Sequence, residues 1–204
     1  MDEKEAVLPI PESPKPYYEK DALDNAIDVF VKKDKPTQAD LDHIGTIATV
    51  QVGLDKYRAD ALNMSRKQLR NEPHDSTRLG RLMEAADGKR RPARCHAHAI
   101  VSGAHREAAK LRAVLAWFKL RIDDPDNGCW LPENTKATPH PLFPKAVPHS
   151  RIHRAGYYRW LNQIIRQERF ADQSQLRIEL KRIAQRLQQG TYPSDVMLPG
   201  HRIK

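Results

Sequence analysis

Residues 95–101 read Cys-His-Ala-His-Ala-Ile-Val, and residues 123–131 read Asp-Asp-Pro-Asp-Asn-Gly-Cys-Trp-Leu. The first stretch predicts a short strand over 95–101. Residues 123–128 combine the aspartate, proline, asparagine and glycine that turns favour. Residues 129–131, directly after this turn, predict a second short strand. These two strands are the only β-structure that the sequence predicts.

The rest of the chain predicts helices and loops. Apolar residues recur at helical spacing in residues 17–33, 38–69, 79–86, 104–120, 150–170 and 174–189. Pro36 separates the first two segments, which predicts a helical hairpin. Five prolines between residues 132 and 148 predict an irregular loop. The predicted fold class is therefore mainly α, with a little β-structure in the second half.

Composition divides the chain into four parts. Four prolines in residues 1–16 predict an extended arm, and residues 17–88 form a helical N-terminal region. The cluster Gly88-Lys89-Arg90-Arg91-Pro92 interrupts the helical periodicity, so we expect a second domain to begin at residue 89. This domain extends to residue 192, and residues 193–204 form a basic tail.

The net charge of +9 is concentrated in the second half of the chain. Residues 1–73 hold 11 Lys+Arg against 14 Asp+Glu, whereas residues 74–204 hold 24 against 12. A basic half attached to an acidic half indicates a polyanionic partner such as nucleic acid. A solvated basic surface without a partner is the alternative.

The sequence argues against a membrane protein and against export by the general route. No apolar run approaches the roughly 18 residues that a membrane-spanning helix needs. The acidic residues 1–5 are not followed by the apolar segment of a secretory signal peptide. We therefore expect no membrane-spanning segment and no signal peptide. Cys95 and Cys129 form no CxxC pair, so we expect two reduced cysteines, with one bridge between them as the alternative.

Histidine spacing suggests a metal site. His149 and His153 are spaced i, i+4 at the start of a predicted helix, so both imidazoles project from one face and can hold one cation. A third ligand from a strand would complete a site with an open position for water or phosphate. His98 is the natural candidate for this ligand, and the alternative is a buried structural histidine.

Four pieces of sequence occur in an order known from one nuclease family. They are Ala97-His98-Ala99-Ile100-Val101, then Asp126-Asn127-Gly128-Cys129-Trp130-Leu131-Pro132, then His149-Ser150-Arg151-Ile152-His153, and then Tyr157-Tyr158. Together they resemble the AHH family of the HNH/endonuclease VII superfamily, over about residues 92–192. The resemblance implies a ββα-metal core, in which a strand hairpin packs on a helix and holds one divalent cation.

The resemblance also implies roles for individual residues. His98, His149 and His153 would bind one divalent ion, which could be Mg²⁺, Mn²⁺ or Zn²⁺. Asn127 would hold the hairpin and orient the general base, and Tyr157 would support the site or touch phosphate. Basic residues near the motifs are expected to contact DNA; they are Lys89, Arg90, Arg91, Arg94, Arg151, Arg154 and Arg159.

Position 99 departs from the family pattern. Family members carry a second histidine there, which in related sites is the general base, whereas the methyl group of Ala99 accepts no proton. Loss of a general base costs about 10²–10⁴-fold in rate, so we expect the chain to be nearly inactive. An engineered replacement of histidine by alanine is favoured, because the other motifs are intact. A natural degenerate member that uses His96 instead is the alternative.

The family's members are toxin domains, so the resemblance implies a DNase effector used in competition between bacteria. Such an effector would cut DNA with little sequence specificity and would be restrained at home by an immunity protein. It would be made in the bacterial cytoplasm and delivered into a target cell by a specialised secretion system, which the N-terminal half could engage. Two alternatives stay open, namely a basic module that binds nucleic acid or a partner without cutting and an RNase of the same fold.

Overall fold

The computed structural model describes residues 20–197, and the predicted arm over residues 1–16 lies outside this range. Within it, the helices are α1 (Ala22–Val31), α2 (Gln38–Asn63), α3 (Arg66–Arg70), α4 (Ser76–Asp87), α5 (Ala109–Trp117), α6 (His149–Ile152), α7 (Ala155–Ile164) and α8 (Gln173–Gln189). The strands are β1 (Cys95–Ala99) and β2 (Gly128–Pro132). The fold class is thus mainly α with a small β-hairpin, as the sequence predicts.

The two strands pair antiparallel, and their alternation gives the hairpin two different faces. His98 lies opposite Cys129, and Ala99 lies opposite Gly128. Cys129 belongs to the main hydrophobic core, which is built from α5, α7, α8 and the loops between them. Ala97 and Ala99 belong to a separate cluster with Leu79 and Met83 of α4. The hairpin is therefore held between the main core on one face and α4 on the other.

Buried ion pairs join the N-terminal helices to the turn before β2. Asp124 has a side chain only 2% exposed and contacts Arg58 of α2 at 3.2 Å and Arg177 of α8 at 2.7 Å. Asp123, which is fully buried, pairs with Arg78 of α4. Buried carboxylates are tolerated when charged partners compensate for lost hydration. Residues before the predicted boundary at 89 are thus in direct contact with the region after it.

Two predicted helices are each divided in the structure. The predicted helix over 38–69 ends at Asn63 and restarts at Arg66, because Ser65 forms a capping box with Gln68. The predicted helix over 150–170 is likewise wrong as a single element. His153 leaves the helical conformation with ψ of 70°, and Arg154 is extended with ψ of 162°. His149 and His153 therefore do not lie on one continuous helix.

The predicted basic tail over 193–204 is only partly open to comparison, since residues 198–204 lie outside the described range. Residues Ser194–Met197 form a single 3₁₀ turn, and Val196 is fully buried in the main core. This part of the chain packs against α7, where Gly156 leaves room for the backbone of Asp195. The expectation of a loose tail is wrong for these residues, because Val196 supplies an apolar anchor.

None of the helices within residues 20–197 combines the length and the apolar character that crossing a bilayer requires.

Candidate metal centre

Three histidines from separate parts of the chain converge beside the hairpin. His98 lies in β1, His149 begins α6, and His153 follows α6 directly. One ring nitrogen of each lies within 4.8 Å of the other two. The ring centroid of His98 is 5.4 Å from that of His149 and 5.0 Å from that of His153. The structure therefore brings together the three residues that the sequence groups as metal ligands.

The hydrogen bonds of His98 define which ring nitrogen is free. The Tyr157 hydroxyl donates its one proton to the carbonyl oxygen of Ile100 at 2.8 Å. It must therefore accept from Nε2–H of His98, which lies 3.0 Å away. Nδ1 of His98 is then an unprotonated acceptor, and it is buried without a hydrogen-bond partner. A buried lone pair beside two other imidazoles fits a cation, because such a pair is costly when nothing binds it.

A second tyrosine contacts His153. Nδ1 of His153 lies 2.8 Å from the hydroxyl of Tyr158, and Nε2 has no hydrogen-bond partner among residues 20–197. The ring of Tyr158 is stacked on His105, with centroids 4.3 Å apart. Consecutive tyrosines of α7 thus each contact one histidine. Outer hydrogen bonds of this kind set the tautomer and orientation of metal-binding imidazoles.

Burial keeps the three imidazoles neutral. It lowers the pKa of His98 well below the usual value for histidine, with smaller contributions from His153 and His149. Burial likewise lowers the pKa of His153 to about 4 and lowers that of His149. Neutral imidazole is the form that binds a metal ion. The cluster is therefore a set of three neutral nitrogen donors at neutral pH, which suits a divalent cation.

Asn127 connects the end of β1 to the turn before β2. Its Oδ1 accepts from the backbone N–H of Val101 at 2.9 Å, and its Nδ2 donates to the carbonyl oxygen of Ile122 at 2.7 Å. The residue is fully buried. These bonds are to backbone groups, so Asn127 holds the loops that flank the hairpin, and orientation of a general base stays a prediction.

Tyr157 is likewise fully buried, with its hydroxyl engaged by His98 and the backbone of Ile100. Of the two roles that the sequence leaves for it, these contacts favour support of the site over contact with phosphate.

Position 99 and His96 lie on opposite faces of β1. Ala99 is 5% exposed and packs in the cluster with Leu79 and Met83 of α4. His96 is on the same face as His98, and its ring centroid lies 5.4 Å from that of His149. Nε2 of His96 is 3.8 Å from a carboxylate oxygen of Glu133. His96 is therefore the exposed histidine next to the three-histidine cluster.

The basic residues expected to contact DNA are distributed over more than one surface. Arg91 lines a cleft together with His96 and His149, and Arg151 is exposed on α6 between the two histidines of that segment. Arg154 donates through Nε to the carbonyl oxygen of Arg151. These three arginines are the members of the expected set that lie nearest the cluster in the chain or in space.

The other four members lie elsewhere or carry no contact with the cluster. Arg94 donates to the carbonyl oxygen of Lys136, and Lys89 lines a different cleft, beside α1. Arg90 and Arg159 are exposed. Their contact with nucleic acid stays a prediction.

Sequence reasoning did not assign roles to Tyr158, His105 or Arg81. Tyr158 lies in the Tyr157-Tyr158 motif, but the family resemblance implies a role only for Tyr157. His105 has no local signal, because its stacking on Tyr158 depends on folding. Arg81 lies on α4, outside the residues that the motifs cover, and it lines the same cleft as His149.

Comparison with protein families agrees with this geometry. Residues 79–189, which are more than half of the chain, match the sequence model of the AHH family. This family is described as a nuclease family of the HNH/ENDO VII superfamily with conserved AHH. The match begins within α4, before the predicted domain boundary at residue 89. No curated protein and no solved structure matches the chain.

Proposed function

Because the chain belongs to the AHH nuclease family of the HNH/ENDO VII superfamily, we propose that it is a metal-dependent endonuclease of the HNH type that cuts DNA as a toxin. Family membership makes the chain a nuclease, with nucleic acid as its substrate. Two observations carry metal dependence. Nδ1 of His98 is buried and unpartnered, and one ring nitrogen each of His98, His149 and His153 lies within 4.8 Å of the other two.

A divalent ion bound to these nitrogens would polarise the scissile phosphate and stabilise the charge that develops on the leaving oxygen. The three imidazoles would hold such an ion without reducing its positive charge, because all three are uncharged. Tyr157 and Tyr158 keep the rings oriented through their hydroxyl groups. The solvent-exposed side of His153 leaves one side of the cluster open to a phosphate.

The attacking water must also lose a proton, and two positions could accept it. The family pattern assigns this role to position 99, but in this structure that position packs against α4, on the face of β1 opposite to His98. His96 is the second candidate, since its ring adjoins that of His149 on the same face of β1. Glu133 lies within reach of Nε2 of His96 and could hold the ring in place.

Four proteins separate these possibilities in a plasmid-cleavage assay with Mg²⁺, Mn²⁺ or Zn²⁺. They are the chain as it stands, Ala99→His, His96→Gln, and the double variant. The family pattern predicts that Ala99→His cuts about 10²–10⁴-fold faster than the chain as it stands, whereas the packing of position 99 against α4 predicts no gain from this substitution. EDTA should abolish any cutting. Cutting by the original chain that His96→Gln abolishes would assign the proton acceptor to His96 instead. DNA binding without cutting by all four would support a non-catalytic binding module.

Thermal unfolding must accompany this assay, because position 99 is packed against α4. Adding a larger side chain at a well-packed position typically costs about 1–3 kcal/mol. Ala99→His must therefore remain folded at the assay temperature for its activity to be interpreted.

The toxin role and the choice of DNA over RNA have separate tests. Induced expression of an active variant in bacteria should degrade the chromosome and stop growth, whereas His98→Ala in the same background should not. Parallel incubation with plasmid and with transfer RNA distinguishes a DNase from an RNase. Protection by a protein co-expressed from the same source would support an immunity partner, and delivery by a secretion system is part of the same proposal.

A further inference from the structure

The cleft beside the three-histidine cluster has a wall that the nuclease motifs do not include. The cleft has a volume of about 370 Å³ and lies between α4 and β1. Ser76, Thr77 and Arg81 of α4 form one side, and His96 and His149 lie on the other. A substrate that reaches His149 through this cleft would pass along α4.

The position of α4 is fixed by close packing and by charge. A Cβ atom at Gly80 would lie 3.4 Å from the ring of Trp130 and 3.6 Å from the Cβ of Ala97, so this helix rests directly on the hairpin. Arg78, two residues earlier, pairs with the buried carboxylate of Asp123. The wall of the cleft is thus a rigid element, which is what a binding site for an extended substrate requires.

The charged groups in the cleft leave one cation free. Arg91 donates through Nε to the carbonyl oxygen of Cys95, and its guanidinium lies 3.6 Å from Glu133. The carboxylate of Glu84 accepts from the backbone N–H of Arg91 at 2.6 Å. The side chain of Arg81 is exposed and has no hydrogen bond or ion pair with any of residues 20–197. It is therefore the unpaired positive charge in the cleft.

We infer that Arg81 binds a backbone phosphate of the DNA strand that lies in this cleft, next to the phosphate held at the three histidines. This inference rests on the proposed function and extends it to α4. Guanidinium groups bind phosphate oxygens through paired N–H donors and are the residues most suited to this contact. Ser76 and Thr77, on the same wall, supply hydroxyl groups that contact phosphate or sugar without reading sequence.

The test measures binding of the full chain to a fluorescent DNA duplex in EDTA, from 50 to 200 mM salt. Arg81→Gln is compared with Arg182→Gln, which removes the same charge from an arginine that is 67% exposed on α8. We expect Arg81→Gln to bind about five- to tenfold more weakly near 0.1 M salt and to reduce the slope of log K against log salt by about 0.9. Arg182→Gln should leave affinity and slope close to those of the original chain.

Equal binding by Arg81→Gln and Arg182→Gln, with both folded by circular dichroism, would overturn the inference, as would a failure of the original chain to bind DNA. Loss of binding to an RNA hairpin alone would overturn the choice of DNA. The plasmid assay on Ala99→His keeps the two proposals separate. If Ala99→His cuts plasmid but Arg81→Gln binds DNA normally, the nuclease function holds and this phosphate subsite does not. If Arg81→Gln weakens DNA binding but no variant cuts plasmid, the subsite belongs to a non-catalytic binding module.

Discussion

At the scale of single residues, the site depends on which nitrogen of His98 carries its proton. The fully buried hydroxyl of Tyr157 cannot donate to both Ile100 and His98, and its short bond to Ile100 leaves it an acceptor toward the imidazole. The protein thereby fixes Nδ1 of His98 as the unprotonated ring nitrogen before an ion binds. A ligand set that is oriented before binding loses less entropy when the ion arrives.

Replacing Tyr157 tests whether its hydrogen bond fixes the tautomer of His98. In Tyr157→Phe, Nε2–H of His98 loses its acceptor, the tautomer is no longer fixed, and we expect affinity for Zn²⁺ or Mn²⁺ to fall about 10- to 100-fold. Calorimetric titration measures this affinity. Tyr192→Phe is the matched control, because the Tyr192 side chain has no hydrogen bond or ring contact with the three histidines and should leave metal affinity unchanged. Equal metal affinity in Tyr157→Phe and the original chain would refute the claim that Tyr157 orients His98 for metal binding.

The sequence predicts the residues of the metal cluster better than the details that orient them. His98, His149 and His153 stand out because they fall in a predicted strand and at the start of a predicted helix, within the ordered motifs that resemble the AHH family. The supports are invisible at this level, because Tyr157 meets His98 across 59 residues of chain. Strand alternation alone places His96 with His98 and puts Ala99 on the opposite face, but the sequence does not show that α4 covers that opposite face.

At the scale of elements, the break between α6 and α7 separates the two histidines that the sequence places on one helix. Apolar spacing continues through residues 150–170, so periodicity alone predicts no interruption. The break at His153 and Arg154 reflects tertiary packing, in which α7 is placed against the core and against residues 194–197. Helical periodicity identifies the buried face but not the residue at which one helix gives way to the next.

The contact between α7 and the 194–197 turn is sensitive to one atom. A Cβ atom at Gly156 would overlap the carbonyl oxygen of Asp195, so backbone would have to move. We expect Gly156→Ala to lower the free energy of unfolding by about 1–3 kcal/mol in urea denaturation.

Gly53→Ala is the control for this prediction. Gly53 lies within α2 with nothing near its missing side chain, so alanine there should raise stability by about 0.5–1 kcal/mol through helix propensity. Stabilisation of similar size by both substitutions would show that the 194–197 turn does not pack on α7.

At the scale of the whole molecule, long-range ion pairs bind the N-terminal helices to the nuclease region. Asp124 lies between Arg58 and Arg177, which are 66 and 53 residues away along the chain. Sequence reasoning predicts residues 123–128 only as a turn and names no partners for their carboxylates. Their burial follows from partners that only the fold brings near. The division of the chain at residue 89 stays a prediction, although contacts cross it.

Removing one buried charge should therefore destabilise the whole protein. In Asp124→Asn the guanidinium of Arg177 loses a partner in a buried site, and we expect a loss of about 3 kcal/mol at pH 7. Asp60→Asn, at an exposed carboxylate of α2, should change stability little. An Asp124→Asn protein as stable as Asp60→Asn would contradict the importance of this network.

The ion pair of Asp124 with Arg177 makes the free energy of unfolding depend on pH in a defined direction. Burial alone would raise the pKa of Asp124, but the hydrogen bond and charge of Arg177, with those of Arg58, hold this pKa below its usual value. The stabilisation is then complete above the ordinary aspartate pKa of about 3.9 and is lost as pH falls through the lowered value. The difference in unfolding free energy between the original chain and Asp124→Asn should be constant near neutral pH and should shrink below about pH 4.

The most direct measurement is anomalous X-ray scattering from crystals soaked with Zn²⁺ or Mn²⁺. We predict one strong peak bound by Nδ1 of His98 together with a ring nitrogen of His149 and of His153, at about 2.0–2.1 Å for zinc. A peak elsewhere with none at this position, or a ring of His98 turned so that Nδ1 points away from the other two histidines, would contradict it.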